Sequence, residues 1–169
     1  MATFPKFIPL PQVAWRPLRE GDLAYVAALE AQIHASPWTI GNFRDALAAG
    51  YATRIAERER RIVAYGVLML GPGEAQILNL SVVPDARREG LGRALLRYFL
   101  DDAWSLGAEQ VFLEVRASNL AAIGLYAAEG FTPVARRHGY YPGAAVDATR
   151  EDALVLRRAL HSCAPVPNS

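Results

Sequence analysis

One segment determines the architecture of this chain: Asn79-Leu80-Ser81-Val82-Val83-Pro84-Asp85-Ala86-Arg87-Arg88-Glu89-Gly90-Leu91-Gly92-Arg93-Ala94-Leu95-Leu96. Its pattern predicts a strand, a turn, a glycine-containing loop and then a helix. Gly90 and Gly92 allow the backbone to curl closely around a bulky anion. The unpaired N–H groups of the helix's first turn would face that anion, with help from the helix dipole. A pyrophosphate group fits this loop, although a lone Gly-x-Gly also fits an ordinary helix start.

Two residues beyond this segment are of types that carry chemistry. Glu114 lies within the apolar strand Val111 to Val115, where an ionised carboxylate is costly to bury unless it is paired or used. Tyr126 lies on a predicted helix rich in small residues. An exposed position at a sheet edge for Glu114 and a core position for Tyr126 are the alternatives. The functional interpretation therefore depends on both residues occurring together with the anion-binding loop.

The rest of the pattern predicts the element order β-α-α-β-β-β-α-β-α-β-β. This order implies an α/β (α+β) fold with a mixed sheet and helices on both faces, and with parallel pairing where the long helix connects two strands. A charged hairpin turn is predicted at Glu57 to Arg61. Strands are predicted over residues 12–16, 51–56, 62–70, 75–83, 111–115, 131–136 and 153–157, and helices over 22–33, 39–47, 90–107 and 119–128.

Length and composition predict one globular domain over residues 12–160, with a flexible arm at 1–11 and a tail at 161–169. The chain has 169 residues, of which 52% are hydrophobic, and this content excludes wholesale disorder. Its net charge of +1 argues against direct nucleic-acid binding by phosphate neutralisation. No apolar run approaches the ~20 residues of a membrane span. The single cysteine, Cys163, cannot form an internal disulfide, which suits a cytoplasmic location.

Taken together, these motifs resemble the GNAT acetyltransferases. The resemblance is carried by Arg87-x-x-Gly90-x-Gly92 at the helix start, by Leu113-Glu114-Val115-Arg116-Ala117-Ser118-Asn119, and by Ala122-Ile123-x-Leu125-Tyr126-x-x-x-Gly130-Phe131. Within that superfamily the chain is most similar to the bacterial ribosomal-protein-alanine N-acetyltransferases. The resemblance extends over about residues 12–160 and implies a mostly antiparallel, seven-stranded sheet.

The resemblance also implies roles for particular residues, with acetyl-CoA as cosubstrate and no metal. Glu114 would act as general base and Tyr126 as general acid. Trp38, Tyr140 and Tyr141 would contact the acceptor, although Trp38 in the core is an equal alternative. The implied contacts to acetyl-CoA come from the backbone of Leu80, Ser81 and Val82, from Arg88, Glu89, Gly90, Leu91, Gly92 and Arg93 around the pyrophosphate, and from Asn119.

The implied reaction acetylates the α-amine of a protein N-terminus, and the resemblance favours an N-terminal alanine of a small-subunit ribosomal protein. At pH 7 an α-amine is ~10% neutral and a lysine ~0.04% neutral, so an α-amine needs only modest help from a base. A lysine or small-molecule amine as acceptor, or a non-catalytic module that binds acetyl-CoA, are the alternatives. The histidines, His34, His138 and His161, have no metal-site spacing and are interpreted as surface or loop residues.

Overall fold

A computed structural model describes residues 12–143 and 149–160. The predicted arm at 1–11, the tail at 161–169 and residues 144–148 lie outside the described residues. Within them the predicted order of elements is confirmed. The elements are β1 (Ala14–Arg16), α1 (Leu23–Ile33), α2 (Ile40–Ala48), β2 (Ala52–Arg58), β3 (Arg61–Gly71), β4 (Glu74–Val82), α3 (Leu91–Ser105), β5 (Gln110–Arg116), α4 (Leu120–Ala128), β6 (Thr132–Tyr141) and β7 (Glu151–Ala159).

The strands form one seven-stranded sheet in the order β1-β2-β3-β4-β5-β7-β6. Only β4 and β5, which α3 connects, pair in parallel, and the other pairs are antiparallel. This result confirms the mixed, mostly antiparallel sheet. The last two strands are longer than predicted. β6 continues past Arg136 through an irregularity between Arg137 and Tyr141, and β7 extends over Glu151–Ala159. The polar and glycine residues of that segment hide the strand from a hydrophobic pattern.

Helices cover both faces of the sheet, as predicted. Leu23 and Val26 of α1 and Phe43 of α2 pack on one face, in a cluster that includes Ile55 of β2. The neighbouring residue, Ala56, belongs to the other cluster, with the buried side of α3 and part of α4. Successive strand residues point to opposite faces, so the two helix layers are separated by the sheet. None of the described helices is long and apolar enough to cross a membrane.

The central pair of strands separates along its length. Pairing between β4 and β5 extends only from Glu74 to Ile77 on β4. The end of β4 stays paired with β3, and the end of β5 stays paired with β7. A register shift between Val67 and Leu68 of β3 lies next to the point of divergence, and such bulges increase local twist. The result is a gap that opens through the middle of the sheet.

Candidate active site

A cavity of roughly 180 Å³ occupies the gap where β4 and β5 diverge. Residues from both helix layers line it, because the gap passes through the sheet. Seven residues proposed from the sequence are brought together there: Trp38, Leu80, Ser81, Glu114, Asn119, Tyr126 and Tyr141.

The backbone of β4 offers hydrogen-bonding groups to this gap. Val83 donates its backbone N–H to the carbonyl oxygen of Val63 on the neighbouring strand at 3.0 Å. Because an antiparallel ladder alternates, the N–H and C=O groups of Leu80 and Val82 point away from β3 and towards the gap. The carbonyl oxygen of Val82 accepts a bond from the Arg87 guanidinium at 3.2 Å. The exposed edge of β4 can thus pair with an amide-containing ligand.

The loop before α3 has a shape that suits a phosphate group. Gly90 takes a left-handed conformation (φ 85°) as the N-cap of α3, and Arg88 is also left-handed (φ 63°), which is uncommon for a residue with a side chain. The first N–H groups of α3 lack partners within the helix and face this loop. Leu91 is buried in the core, so its backbone alone is available to a ligand.

Two of the proposed pyrophosphate residues have side-chain partners within the protein. The Arg93 Nε atom lies 3.0 Å from Glu129, and the Arg58 guanidinium donates to Glu89. Their side chains therefore contribute to packing around the loop. Asn119 accepts the backbone N–H of Ala122 at 3.2 Å and caps α4, while it also lines the cavity.

Glu114 lies on an internal strand rather than at a sheet edge. Its strand is flanked by β4 and β7, and its side chain is 16% exposed with Arg137 Nη2 at 3.2 Å from Oε1. The alternative of an exposed edge position is therefore wrong. Glu114 alternates with the buried residues Leu113 and Val115, which pack beneath α3, so its carboxylate faces the opposite side of the sheet.

Tyr126 approaches the same cavity from the face that carries α3 and α4. The residue is buried, and its ring packs edge-on against Phe131 with centroids 5.8 Å apart. Burial, with a smaller contribution from Tyr141, raises the pKa of Tyr126 to about 12. The phenol is consequently neutral at physiological pH and retains a proton that it can donate.

Aromatic residues border the cavity on the face that carries α1 and α2. Trp38 packs against Phe43 with ring centroids 5.1 Å apart and also lines the cavity, so it belongs to the core and to the site. Tyr141 lies beneath the Arg116 guanidinium, 4.2 Å from the ring centroid. Burial, followed by the Glu114 carboxylate, raises the pKa of Tyr141. Tyr140 is 44% exposed and is not among the residues that line the cavity.

The site contains a buried carboxylate that sequence reasoning missed. Glu30 of α1 is only 2% exposed. It accepts the Tyr65 hydroxyl at 2.6 Å, the Asn79 side-chain amide at 3.0 Å and the Trp38 backbone N–H at 3.3 Å. Burial and this carboxylate raise the pKa of Tyr65. The signal in the sequence is an acidic residue at helical spacing from Leu23 and Val26, within an otherwise apolar stripe.

His34 is the second residue that was missed. Its Nε2 atom lies 2.8 Å from the Ser81 hydroxyl, and its ring lines the cavity. His34 follows the last turn of α1 and is partly exposed, as expected for a loop or surface residue, but its place in the cavity was not predicted. His138, with 81% of its side chain exposed, does lie at the surface, and His161 lies outside the described residues. Among residues 12–143 and 149–160, no group of His, Cys, Asp and Glu side chains could hold a metal ion.

The sequence of this chain is similar to those of known acetyltransferases. The family model described as acetyltransferase (GNAT) family matches residues 15–131. The [ribosomal protein bS18]-alanine N-acetyltransferase of Escherichia coli is 36% identical over 139 residues, which are 82% of this chain and 92% of that protein. A Bacillus subtilis protein named as a putative enzyme of that kind is 32% identical, over 86% of this chain and 94% of its own.

A solved structure has the same fold. The crystal structure of the ribosomal-protein-S18-alanine N-acetyltransferase from Escherichia coli superposes with a TM-score of 0.81 and 32% sequence identity. The match covers 94% of this chain and all of that one.

Proposed function

Because the chain belongs to the GNAT acetyltransferase family, and so is an acetyl-CoA-dependent N-acetyltransferase, we propose that it acetylates the N-terminal alanine of a protein. The acceptor would be a small-subunit ribosomal protein, as the names of its relatives indicate for them. The observation that carries this proposal is 36% identity across 82% of the chain to such an enzyme.

The donor side of the proposal is supported by the backbone around the gap. The exposed edge of β4 at Leu80 and Val82 suits the amides of the pantetheine arm, and the left-handed loop that ends at Gly90 suits the pyrophosphate. Oriented N–H groups at a helix start bind phosphates well. In this proposal the side chains of Arg88, Glu89 and Arg93 shape and charge the loop, while the backbone from Gly90 to Gly92 makes the close contacts.

The acceptor side lies on the opposite face, between Trp38 and Tyr141. Aromatic rings with a polar edge can pack against an extended peptide and hydrogen-bond its backbone. An α-amine there lies near the Glu114 carboxylate, which lines the same cavity. We assign Glu114 the role of proton acceptor from the incoming amine.

The residues also account for the protons in the reaction. An α-ammonium group has three protons and the amide product has one, so two must leave the nitrogen. The first leaves before attack on the thioester carbon, and backbone N–H groups near Ser81 and Val82 would stabilise the oxyanion that then forms. Collapse breaks the carbon–sulfur bond, and Tyr126 protonates the thiolate. The second proton from nitrogen restores the phenol.

The proposed acceptor also indicates the cellular compartment in which the reaction takes place. We propose that the enzyme acts in the cytoplasm, where bacterial ribosomal proteins are made, with a protein N-terminus as its partner. The proposal requires neither direct nucleic-acid binding nor a membrane.

A mass-spectrometric assay tests the acceptor class. Purified protein and acetyl-CoA are incubated with a peptide that begins with alanine, and with the same peptide carrying a blocked α-amine and a free lysine. We expect the first peptide to gain one acetyl group at its α-amine. The lysine peptide should react far more slowly, since deprotonating a lysine costs roughly 3 kcal/mol more at pH 7. Faster reaction of the lysine peptide would replace the α-amine with a lysine or small-molecule amine as acceptor.

A further inference from the structure

A chain of hydrogen bonds connects the buried carboxylate of Glu30 to the imidazole of His34. The Asn79 amide nitrogen donates to Glu30 Oε1 at 3.0 Å. The Ser81 hydroxyl lies 3.0 Å from the Asn79 amide oxygen and 2.8 Å from His34 Nε2. These residues come from α1 and β4, on the wall of the cavity across the gap from Glu114.

The direction of each bond in this chain follows from the carboxylate. Glu30 is an acceptor, so Asn79 must turn its NH₂ group towards it and its oxygen towards Ser81. The Ser81 hydroxyl then donates to that oxygen, and its own oxygen accepts from His34. Nε2 of His34 therefore carries the hydrogen, and Nδ1 is the basic nitrogen of the ring.

Burial, together with two arginines, favours the neutral imidazole of His34. Burial lowers the pKa of His34, and Arg87 and Arg116 lower it further, while the carboxylate of Glu30 acts in the opposite direction. Glu30 Oε2 lies 3.6 Å from Nε2 and can stabilise a transient imidazolium. The side chain is 39% exposed, so a proton on the ring can pass to solvent.

We propose that His34 is a second proton acceptor of the reaction: its Nδ1 takes the proton that the α-ammonium group of the substrate must lose. The nitrogen–hydrogen bond of the ammonium breaks, its electron pair stays on the amine for attack, and the imidazolium releases the proton to water. Glu30, Asn79 and Ser81 are positioning residues that fix the tautomer. The inference rests on the proposed function, in which an amine enters this cavity.

The relative basicities favour this route. An α-amine has a pKa near 8, a carboxylate near 4 and an imidazole near 6.5. Transfer to an ordinary glutamate is unfavourable by about four orders of magnitude, and transfer to an ordinary histidine by about one and a half. The lowered pKa of His34 reduces this difference. Glu114 is also paired with Arg137 at 3.2 Å. We therefore expect Glu114 and His34 to offer parallel routes for this proton, with His34 carrying most of the flux at pH 7.

The test compares pH–rate profiles of the wild type, His34→Gln and Glu114→Gln with a peptide that begins with alanine. Glutamine can still donate to Ser81 but has no basic nitrogen. We expect His34→Gln to lower kcat about 100-fold at pH 7, with acetyl-CoA affinity unchanged. The deficit should shrink to about tenfold at pH 9.5, because the neutral fraction of the α-amine rises about tenfold. Tyr25→Phe, at an exposed position of α1, is the control and should retain wild-type rates.

Two outcomes would overturn the inference. One is a His34→Gln variant with wild-type kcat at every pH, and the other is a deficit that stays constant with pH, which would mark His34 as structural. Failure of the proposed function is a separate result, because the wild type itself would then leave the peptide unmodified.

A spectroscopic measurement tests the positioning chain without turnover. Nitrogen-15 spectra of the histidine rings, assigned by the signal lost in His34→Gln, should show His34 with its hydrogen on Nε2. Ser81→Ala should produce a mixture of tautomers, since the oxygen that accepts from Nε2 is gone. A wild-type ring with its hydrogen on Nδ1 would refute the assignment.

Discussion

At the scale of single residues, Tyr126 combines a buried ring with a hydroxyl at the cavity. Its raised pKa, about 12, keeps the phenol protonated well above the working pH. Protonation of the CoA thiolate, whose thiol should have a pKa near 8.5, is then possible over a wide pH range. The burial that favours a core role thus keeps Tyr126 protonated, although the raised pKa also makes it a weaker acid than an ordinary tyrosine.

We expect Tyr126→Phe to lower kcat by about 10- to 100-fold, because a thiolate is a fair leaving group even without an acid. In the wild type, kcat should not fall between pH 8 and 10, since the phenol does not ionise there. Steady-state kinetics with a peptide that begins with alanine measure both effects. Tyr25→Phe, at an exposed position of α1, is the control. Full activity of Tyr126→Phe would leave thiolate protonation to solvent.

Residues differ in how far the sequence reveals them. Glu114 interrupts an apolar strand and belongs to a distinctive motif, so both its strand and its place in the site could be predicted. His34 comes directly after α1, and no motif in the neighbouring sequence indicates that it belongs to the site. Its contact with Ser81, 47 positions away in sequence, is set by the sheet rather than by a motif.

At the scale of elements, α3 lies very close to the sheet at Gly66 of β3. A Cβ atom at this position would come within 2.7 Å of both the Asn79 carbonyl oxygen and a ring carbon of Phe99. Backbone and a fully buried ring cannot both give way in a well-packed interior. Gly66 also pairs with Leu80, so this close contact sets the position of the part of β4 that faces the gap.

Gly66→Ala should therefore destabilise the protein by about 1–3 kcal/mol, the usual cost of overpacking. Gly124→Ala in the exposed part of α4 is the matched control, because a Cβ there meets nothing within 4 Å. It should stabilise the protein by about 0.5–1 kcal/mol through helix propensity. Urea unfolding, monitored by circular dichroism, compares the two. Equal stability of both variants would contradict the close packing of α3.

Elements were easier to predict than their pairing. Hydrophobic periodicity and capping residues located all the described helices, and α3 indicated the parallel pair. The placement of β7 between β5 and β6 could not be predicted, because the order of strands depends on which edge the last hairpin meets. Gly139 and its polar neighbours also concealed the end of β6, whose backbone bonds to Asp152 and Arg150 instead of following a regular ladder.

At the scale of the whole molecule, acetyl-CoA would connect two parts of the sheet that the protein leaves apart. One part ends with β4 and the other begins with β5, and they share pairing only from Glu74 to Ile77 on β4. A ligand that binds only the folded state stabilises it by ~2.7 kcal/mol at 100 times its Kd. For a protein of this size that corresponds to a rise in Tm of about 5–10 °C.

We expect acetyl-CoA to produce this rise in the wild type and Gly92→Val to abolish it, because the branched side chain crowds the phosphate loop. Gly92→Ala is the control: its Cβ would meet Leu125 and Val82 at ordinary distances of 3.5 and 3.6 Å, and Gly92 has no positive φ to strain. Scanning fluorimetry measures the shift. A Gly92→Val protein with the wild-type shift would remove the pyrophosphate from this loop.

The gap through the sheet also separates two kinds of selectivity. In the proposed function, recognition of the donor would depend on the edge of β4 and the start of α3, whereas the acceptor would meet the segment after α1 and the hairpin of β6 and β7. Proteins with this fold can therefore evolve to accept a different amine through changes in two surface segments, while the acetyl-CoA site stays the same.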